Sequence, residues 1–128
     1  MMETQLRTRL KNDAAVAAIV GTRIDWGVRP QGSAYPSIVL NIVSDERPQH
    51  MAGNIDARGT LVQIDCYGAT RAQVAGLREA VISAITPAAT VAPVTFFRSF
   101  VQNVRSMDAN TDTGLVFRDS VDVQVWHS

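Results

Sequence analysis

Residues 113–127 (TGLVFRDSVDVQVWH) constrain the fold of this chain most strongly, because apolar and polar side chains alternate along nearly their whole length. The apolar residues at a period of two are Phe117, Val121, Val123 and Val125. The polar residues between them are Arg118, Ser120, Asp122 and Gln124. A period of two is that of a half-buried strand, so the pattern predicts a long C-terminal strand built into a sheet.

Three further segments have the composition of strands. Residues 37–45 are rich in β-branched side chains and are bounded by prolines, and both of their faces are apolar, so a partner subunit is one candidate to cover the second face. Residues 61–67 form the next predicted strand, with Val62, Ile64 and Cys66 on one side. Residues 94–105 form another, and the polar stretch 106–113 is predicted to turn the chain into the terminal strand.

The helical segments lie before each pair of strands. Thr70 and Gln73 have the spacing of a capping box, and an apolar stripe at helical spacing follows, which predicts a helix over residues 71–85. Residues 3–20 carry an interrupted stripe, and Asp13 can cap a new helix at the interruption, so two short helices ending at Gly21 are predicted. The order α-ββ-α-ββ predicts a single α+β domain over residues 1–128, an antiparallel sheet of about four strands with helices packed on one face.

Composition excludes several classes of protein. Twelve basic and twelve acidic residues cancel, so the chain has no net field that would draw it onto nucleic acid or anionic lipid. No apolar run approaches the roughly 20 residues of a membrane span, and the charged N-terminus does not resemble a signal peptide, so we expect a protein made in the cytoplasm that does not enter a membrane. Cys66, the single cysteine, is predicted to be a buried core residue.

No sequence pattern in the chain indicates a catalytic, metal-binding or cofactor-binding site. His50 and His127 are the only histidines, and neither has a second ligand at metal-binding spacing. Asp108 and Asp112 resemble a fragment of a calcium loop, but the required glycine and glutamate are absent. Nucleophile elbows and phosphate-binding glycine loops are also absent. We therefore predict no catalytic residue, no metal and no cofactor, and a protein that is not an enzyme.

Four segments, taken in order, resemble one family. They are LRTRLKNDAAVAAIVGTRIDWG, RPQGSAYPSIVLNIVS, VQIDCYGAT and DTGLVFRDSVDVQVWH, which together run through residues 6–127. This order is similar to that of the tail terminator, or tail-completion, proteins of long-tailed bacteriophages and gene transfer agents. The resemblance implies a virion protein that forms a homo-oligomeric ring, typically of six subunits, on the head-proximal end of the tail tube. Such a ring stops tube polymerisation and joins the tail to the head neck. Its expected partners are the tail tube protein and a stopper or connector protein of the neck, with DNA only as cargo passing through the lumen.

Two loops are candidates for these protein contacts. The predicted connector 46–59 is longer than about 12 residues, a length that is usually functional or disordered inside a small domain. Its candidate contact residues are Glu46, Arg47, His50, Met51, Asn54, Asp56 and Arg58. The second loop, 27–36, contributes Arg29 and Tyr35. The alternatives are an exposed hairpin tip without a partner and a surface turn that covers the sheet edge.

Two other functions stay open at this point. A head-completion or stopper protein of the neck belongs to the same class of virion protein and has no sequence pattern that separates it from a terminator. A small α+β enzyme or ligand-binding domain, with a pocket under the loop 27–36, belongs to a different class. Trp26 and Trp126 could stack on a base or a sugar, but a tryptophan near a strand end is more often a partly buried core or interface anchor.

Overall fold

The computed structural model describes residues 2–27, 35–46, 49–50, 53–54, 58–111 and 114–128. The helices are α1 (Met2–Asn12), α2 (Ala14–Val20) and α3 (Arg71–Ile85). The strands are β1 (Ile24–Trp26), β2 (Ser37–Glu46), β3 (Gln49–His50), β4 (Gly53–Asn54), β5 (Arg58–Gly68), β6 (Ala89–Val91), β7 (Val94–Phe96), β8 (Phe100–Ser106), β9 (Ala109–Thr111) and β10 (Gly114–His127). The class is mixed α+β, as the sequence predicts.

Strand β10 is the centre of the sheet. On one side it pairs antiparallel with β5 from Phe117 to His127. On its other side it pairs in succession with β9, β8 and β7. Strands β2 and β1 extend the sheet beyond β5, and β6 extends it beyond β7. The prediction that the C-terminal strand is built into a sheet is confirmed.

The core lies between the helices and one face of this sheet. The helices contribute Leu6, Leu10, Val16, Val20, Val74, Leu77, Val81 and Ile85, all fully buried. The sheet contributes Ile38, Leu40, Val62, Ile64, Cys66, Val121, Val123 and Val125. Each such side chain stabilises the fold by about 1.5–3 kcal/mol through the apolar surface that it removes from water. Cys66 is a core residue as predicted, and burial raises the pKa of its thiol.

The predicted helices form because their ends are capped. Thr70 Oγ1 accepts a hydrogen bond from the Gln73 amide at 3.1 Å, and Gln73 Oε1 accepts one from the Ala69 amide at 2.9 Å. Asp13 Oδ1 accepts from the amides of Ala15 and Val16 at 3.1 Å, which separates α2 from α1. The two-helix prediction for the N-terminal segment is confirmed.

The sheet differs from the prediction in its number of strands and in one pairing. The predicted strands correspond to β2, β5, β8 and β10, and among the described residues the shorter β1, β6, β7 and β9 join the same sheet. Strand β1 pairs parallel with β2, so the sheet is not wholly antiparallel. Three residues are too few for a period of two to be recognised, so alternation alone does not predict β1 as a strand.

The predicted strand 94–105 is also broken. Strand β7 ends at Phe96 and β8 begins at Phe100. Between them the Ser99 amide donates to the carbonyl of Thr86, 3.0 Å away, just past the end of α3. With this hydrogen bond the chain leaves the line of β7, so β7 and β8 pair with different residues of β10.

Candidate assembly interface

The described residues contain only part of the predicted interface. Four of its members, Arg29, Arg47, Met51 and Asp56, lie outside the described residues. Three others have a described backbone only: Glu46 ends β2, and His50 and Asn54 belong to the short hairpin of β3 and β4. Arg58 and Tyr35 are described in full. The interface role of all nine residues remains a prediction.

Arg58 belongs to a polar cluster at one end of the sheet. Its Nη2 donates to Asp45 Oδ2 at 2.5 Å, and Asp45 Oδ1 accepts a second hydrogen bond from Thr60 Oγ1 at 3.1 Å. Thr60 Oγ1 in turn lies 2.8 Å from Nε2 of His127. His127 is buried, and this burial lowers its pKa below the ordinary value of 6.5. The cluster therefore joins β2, β5 and β10 where β5 begins.

Tyr35 lies at the opposite end of the sheet. It precedes Pro36 through a cis peptide bond, and its ring lies 6.3 Å from the ring of Tyr67. The guanidinium of Arg118 lies 5.8 Å from the centre of the Tyr67 ring. Arg58 and Tyr67 are nine positions apart along β5, which is about 30 Å of strand. The fold does not bring Arg58 and Tyr35 together, so they belong to separate parts of the subunit surface.

A buried ionic cluster lies under α3, and sequence reasoning missed it. Asp119 stands on the core side of β10 between Phe117 and Val121, and it is fully buried. Its carboxylate accepts hydrogen bonds from Arg71 Nη2, from Arg78 Nη1 at 2.9 Å and from Ser106 Oγ at 2.9 Å. The only signal in the sequence was a charged residue in an apolar position of the alternation.

This cluster has a structural role. The carboxylate of Asp119 is surrounded by three donors from α3 and β8, which offsets the cost of burying its charge. Arg71 also reaches Asp108 Oδ1 at 2.7 Å, in the turn after β8. The hydrogen bond from Arg78 to Glu79, together with the charge of Asp119, outweighs partial burial and raises the pKa of Arg78. The cluster holds α3, β10 and the turn after β8 in one arrangement.

The second apolar face predicted for β2, which carries Val39 and Val43, is only partly exposed. Val39, on the face away from the helices, is buried within the protein itself. Beside it Ser120 Oγ donates to Asp65 Oδ1 at 2.5 Å, and both of these polar residues are buried. Val43 is exposed, at an irregularity in the pairing of β2 with β5. On this face of β2, Val43 is therefore accessible to a partner, whereas Val39 is not.

Large apolar side chains are exposed at two opposite margins of the sheet. The β8 margin consists of Phe100, Val101, Val104 and Met107, and the β2 margin consists of Ile42 and Val43. These six side chains are between 37% and 54% exposed. Every residue of β8 is exposed. Apolar side chains grouped in this way are characteristic of surfaces that contact other proteins.

The structure also separates two neighbouring aromatic residues. Phe96 is fully buried, whereas Phe97 is exposed near the β8 margin. Which of the two rings faces outward depends on the position of β7 beside β10, which the sequence pattern does not reveal.

The described residues offer little for other functions. In this part of the chain no three residues among His, Cys, Asp and Glu are grouped as metal ligands, and no pocket is present. None of the described helices has the length and apolar character needed to cross a bilayer.

Comparison with solved structures identifies the fold. One chain of a structure described as the virion of a native gene transfer agent (GTA) particle superposes with a TM-score of 0.76 at 16% sequence identity. The match covers 98% of the present chain and 93% of the other. A search of curated proteins by sequence gives no match.

Comparison with protein families covers nearly the whole sequence. Residues 4–128 match the family described as Tail completion protein gp17. A match of this extent includes all but the first two residues of α1, both other helices, the whole of the central sheet and both exposed margins. The protein is therefore a structural virion component and not an enzyme, and the chain belongs to the Tail completion protein gp17 family.

Proposed function

We propose that the protein caps the head-proximal end of a tail tube as a closed ring, typically of six copies. The ring stops the addition of tube subunits and joins the tail to the neck of the head. The observation that carries this proposal is the family match over residues 4–128. The structure adds two exposed apolar margins on opposite edges of one sheet, which suit a repeated head-to-tail contact between copies.

Capping in this scheme needs no chemical step. The ring occupies the surfaces that the next layer of tube protein would bind, and complementary shape and charge select the correct partners. The equal numbers of basic and acidic residues suit a lumen through which DNA passes without being held. The host particle is a phage or a gene transfer agent.

The two predicted contact regions suit the two faces of such a ring. The connector 46–59 adjoins one end of β5 and Tyr35 lies near the other, about 30 Å apart along the strand. In the proposal one region meets the tail tube protein, and the other meets the stopper or connector protein of the neck. A subunit that binds both partners connects the end of the tail tube directly to the neck of the head.

Electron microscopy of particles from a producer strain that lacks the protein tests the function. Overlong tubes without heads are the expected result. Tubes of normal length that fail to join heads would instead indicate a stopper function in the neck. Particles that are normal in both respects would rule out both tail completion and neck joining for this chain.

Two substitutions test the assignment of ring faces. We expect His50→Ala and Tyr35→Ala to give different defects, one in tube length and the other in head attachment. Ser83→Ala, on the exposed surface of α3, is the matched control and should give normal particles. If both variants give the same defect, the two regions do not serve opposite faces.

A further inference from the structure

Ile42 of the β2 margin and Val101 of the β8 margin lie on the same face of the sheet and end the same row of side chains. This row runs across the sheet through Ile42, Val62, Val123 and Val101, as the strand register shows. The two central residues are fully buried beneath the helices, and the two terminal residues are exposed. The helices therefore cover the middle of this apolar row and leave the residues at its two ends exposed to solvent.

The strand directions make the two edges compatible. Strand β2 is antiparallel to β5, β5 to β10, and β10 to β8. Three reversals leave β8 antiparallel to β2. When two copies with the same orientation are placed edge to edge, β8 of one copy therefore meets β2 of the next in antiparallel fashion, which allows backbone hydrogen bonds between them.

Both edges are open over part of their length. Strand β8 has β10 on one side and no described strand on the other. Strand β1 covers the outer edge of β2 only from Ile38 to Leu40. Beyond Leu40 no described strand lies beside residues 41–44 on the side away from β5. An open edge of this kind is a template for pairing with another chain.

The two edge segments also carry opposite charge. Residues 97–107 contain Arg98 and Arg105 and no acidic residue, whereas residues 37–46 contain Asp45 and Glu46 and no basic residue. Arg105 already lies 3.2 Å from Asp122, and Asp45 is paired with Arg58. The complementarity is therefore one of net charge between segments, which favours the approach of unlike edges over that of like edges.

We propose that the occupant of the β8 margin is a second copy of this chain, bound through its β2 margin. The start of β8, residues 100–102, lies antiparallel to residues 41–44 of the next copy, so that Val101 packs beside the neighbour's Ile42. Val104, further along β8, then faces the end of β1 in the neighbour, where Trp26 is half-buried on the same side of the sheet. This contact is heterologous, and its repetition closes a ring.

The proposal rests on the ring of the proposed function and specifies which surfaces form it. It also gives a reason for the break between β7 and β8. Since that break moves β8 out of line with β7, β8 forms an edge of its own instead of continuing the hairpin of β6 and β7. The same displacement leaves Phe97 and Phe100 exposed beside that edge.

Cysteine cross-linking tests the contact in the full-length protein. Ile42 and Val101 of one copy are separated by three strand spacings, about 14 Å, whereas a disulfide needs Cα atoms within about 7 Å. Ladders of cross-linked chains on a gel therefore report contacts between copies. We expect the double variant Ile42→Cys with Val101→Cys to give a ladder ending at the ring size after oxidation or treatment with a short bismaleimide.

Single variants separate the two possible symmetries. Ile42→Cys alone and Val101→Cys alone should stay monomeric on the gel, and a mixture of the two should give dimers and nothing larger. Dimers from either single variant would overturn the proposal, because they would show that like edges meet. Cys66 is buried and serves as an internal control for non-specific reaction.

The cross-linking is performed both on the free protein and on particles assembled with the double variant. Normal tails without a ladder would overturn this inference while leaving the capping function intact. A product with the mass of one copy plus a tube subunit would also overturn it. A full ladder, combined with normal tubes and heads in a strain that lacks the protein, would support the edge contact and refute the capping function.

A disruptive substitution provides a second measurement. Val101→Lys places a charge at an exposed site, so the subunit should still fold, but the fraction of ring at a given concentration should fall at least tenfold. Ser83→Lys on the exposed surface of α3 is the matched control and should leave that fraction unchanged. A ring that forms equally well from the Val101→Lys variant would rule out this edge as the subunit contact.

Discussion

The two sides of β10 differ in how extensively they pair and pack within one subunit. On one side β5 follows β10 in continuous register, and the paired valine and isoleucine side chains that face the helices are buried. On the other side β8 pairs over a shorter length with an irregularity near Val123, and all its side chains are exposed. The first side holds the subunit together, whereas the second leaves apolar side chains exposed, and our proposal assigns these to the contact between copies. Substitutions of similar chemistry on the two sides should therefore have different effects.

The largest difference is expected between two aspartates of β10. Asp119→Ala removes the buried carboxylate that Arg71 and Arg78 share, and it should lower the free energy of unfolding by about 3 kcal/mol. Asp122→Ala removes an exposed pairing with Arg105 and should cost about 0.5 kcal/mol or less. Urea denaturation of both variants measures the difference. Equal losses would mean that the Asp119 cluster does not fasten α3 to the sheet.

The next difference concerns two valines in the same row. Val123→Ala opens a cavity under the helices and should cost about 2–3 kcal/mol. Val101→Ala, one strand away and exposed, should cost about 0.5 kcal/mol or less in the isolated subunit. The same denaturation series provides the measurement. A large loss for Val101→Ala would show that the β8 margin packs within the subunit and is not reserved for a partner.

The smallest effect is expected at His127, where β7 takes the place of β8 beside β10. Burial lowers the pKa of His127 in the folded state, so the folded protein favours the neutral imidazole. Its contribution to stability is therefore complete above the unfolded pKa of about 6.5 and is lost as the pH falls below that value towards the folded pKa. The nearby charged groups are Arg58, Asp45 and Glu3.

Melting temperatures at pH 7.5 and pH 5.5 test this effect. The wild-type protein should lose more stability over this range than His127→Gln, which cannot be protonated. If the two proteins lose the same amount, His127 does not carry the pH dependence. A change in ring formation without a change in melting temperature would place a titrating group at the assembly contact instead.

Much of the fold could be foreseen because its signals are local. The cap at Thr70 and the stripe after it place both ends of α3, and the alternation after residue 113 places β10. Asp119 was missed because its partners Arg71 and Arg78 lie more than 40 residues earlier, so nothing local explains a charge at a core position. The role of a residue whose partners are distant in the sequence cannot be recognised from the periodicity of apolar residues around it.

The exposure of the two margins was missed for a related reason. Ile42 shares its face of β2 with Ile38 and Leu40, and the period of two treats the three alike. The helices cover Ile38 and Leu40 but leave Ile42 exposed. A sequence pattern indicates which way a side chain points, but not where the covering layer ends. The loop residues nominated from the sequence stay predictions, whereas the exposed margins are visible only in three dimensions.

The central position of β10 has a consequence for synthesis. All of its partners, β5, β7, β8 and β9, precede it in the chain, so the middle of the sheet cannot form until β10 has left the ribosome. Among the described residues, a chain interrupted before residue 114 has only the separate hairpins of β2 with β5, β3 with β4 and β6 with β7, and its helices lack the central sheet that they cover in the complete subunit. Incomplete subunits are therefore expected to be unfolded and open to proteolysis. In the proposed ring, where a single defective member would affect the whole assembly, such subunits would be removed before they reach a particle.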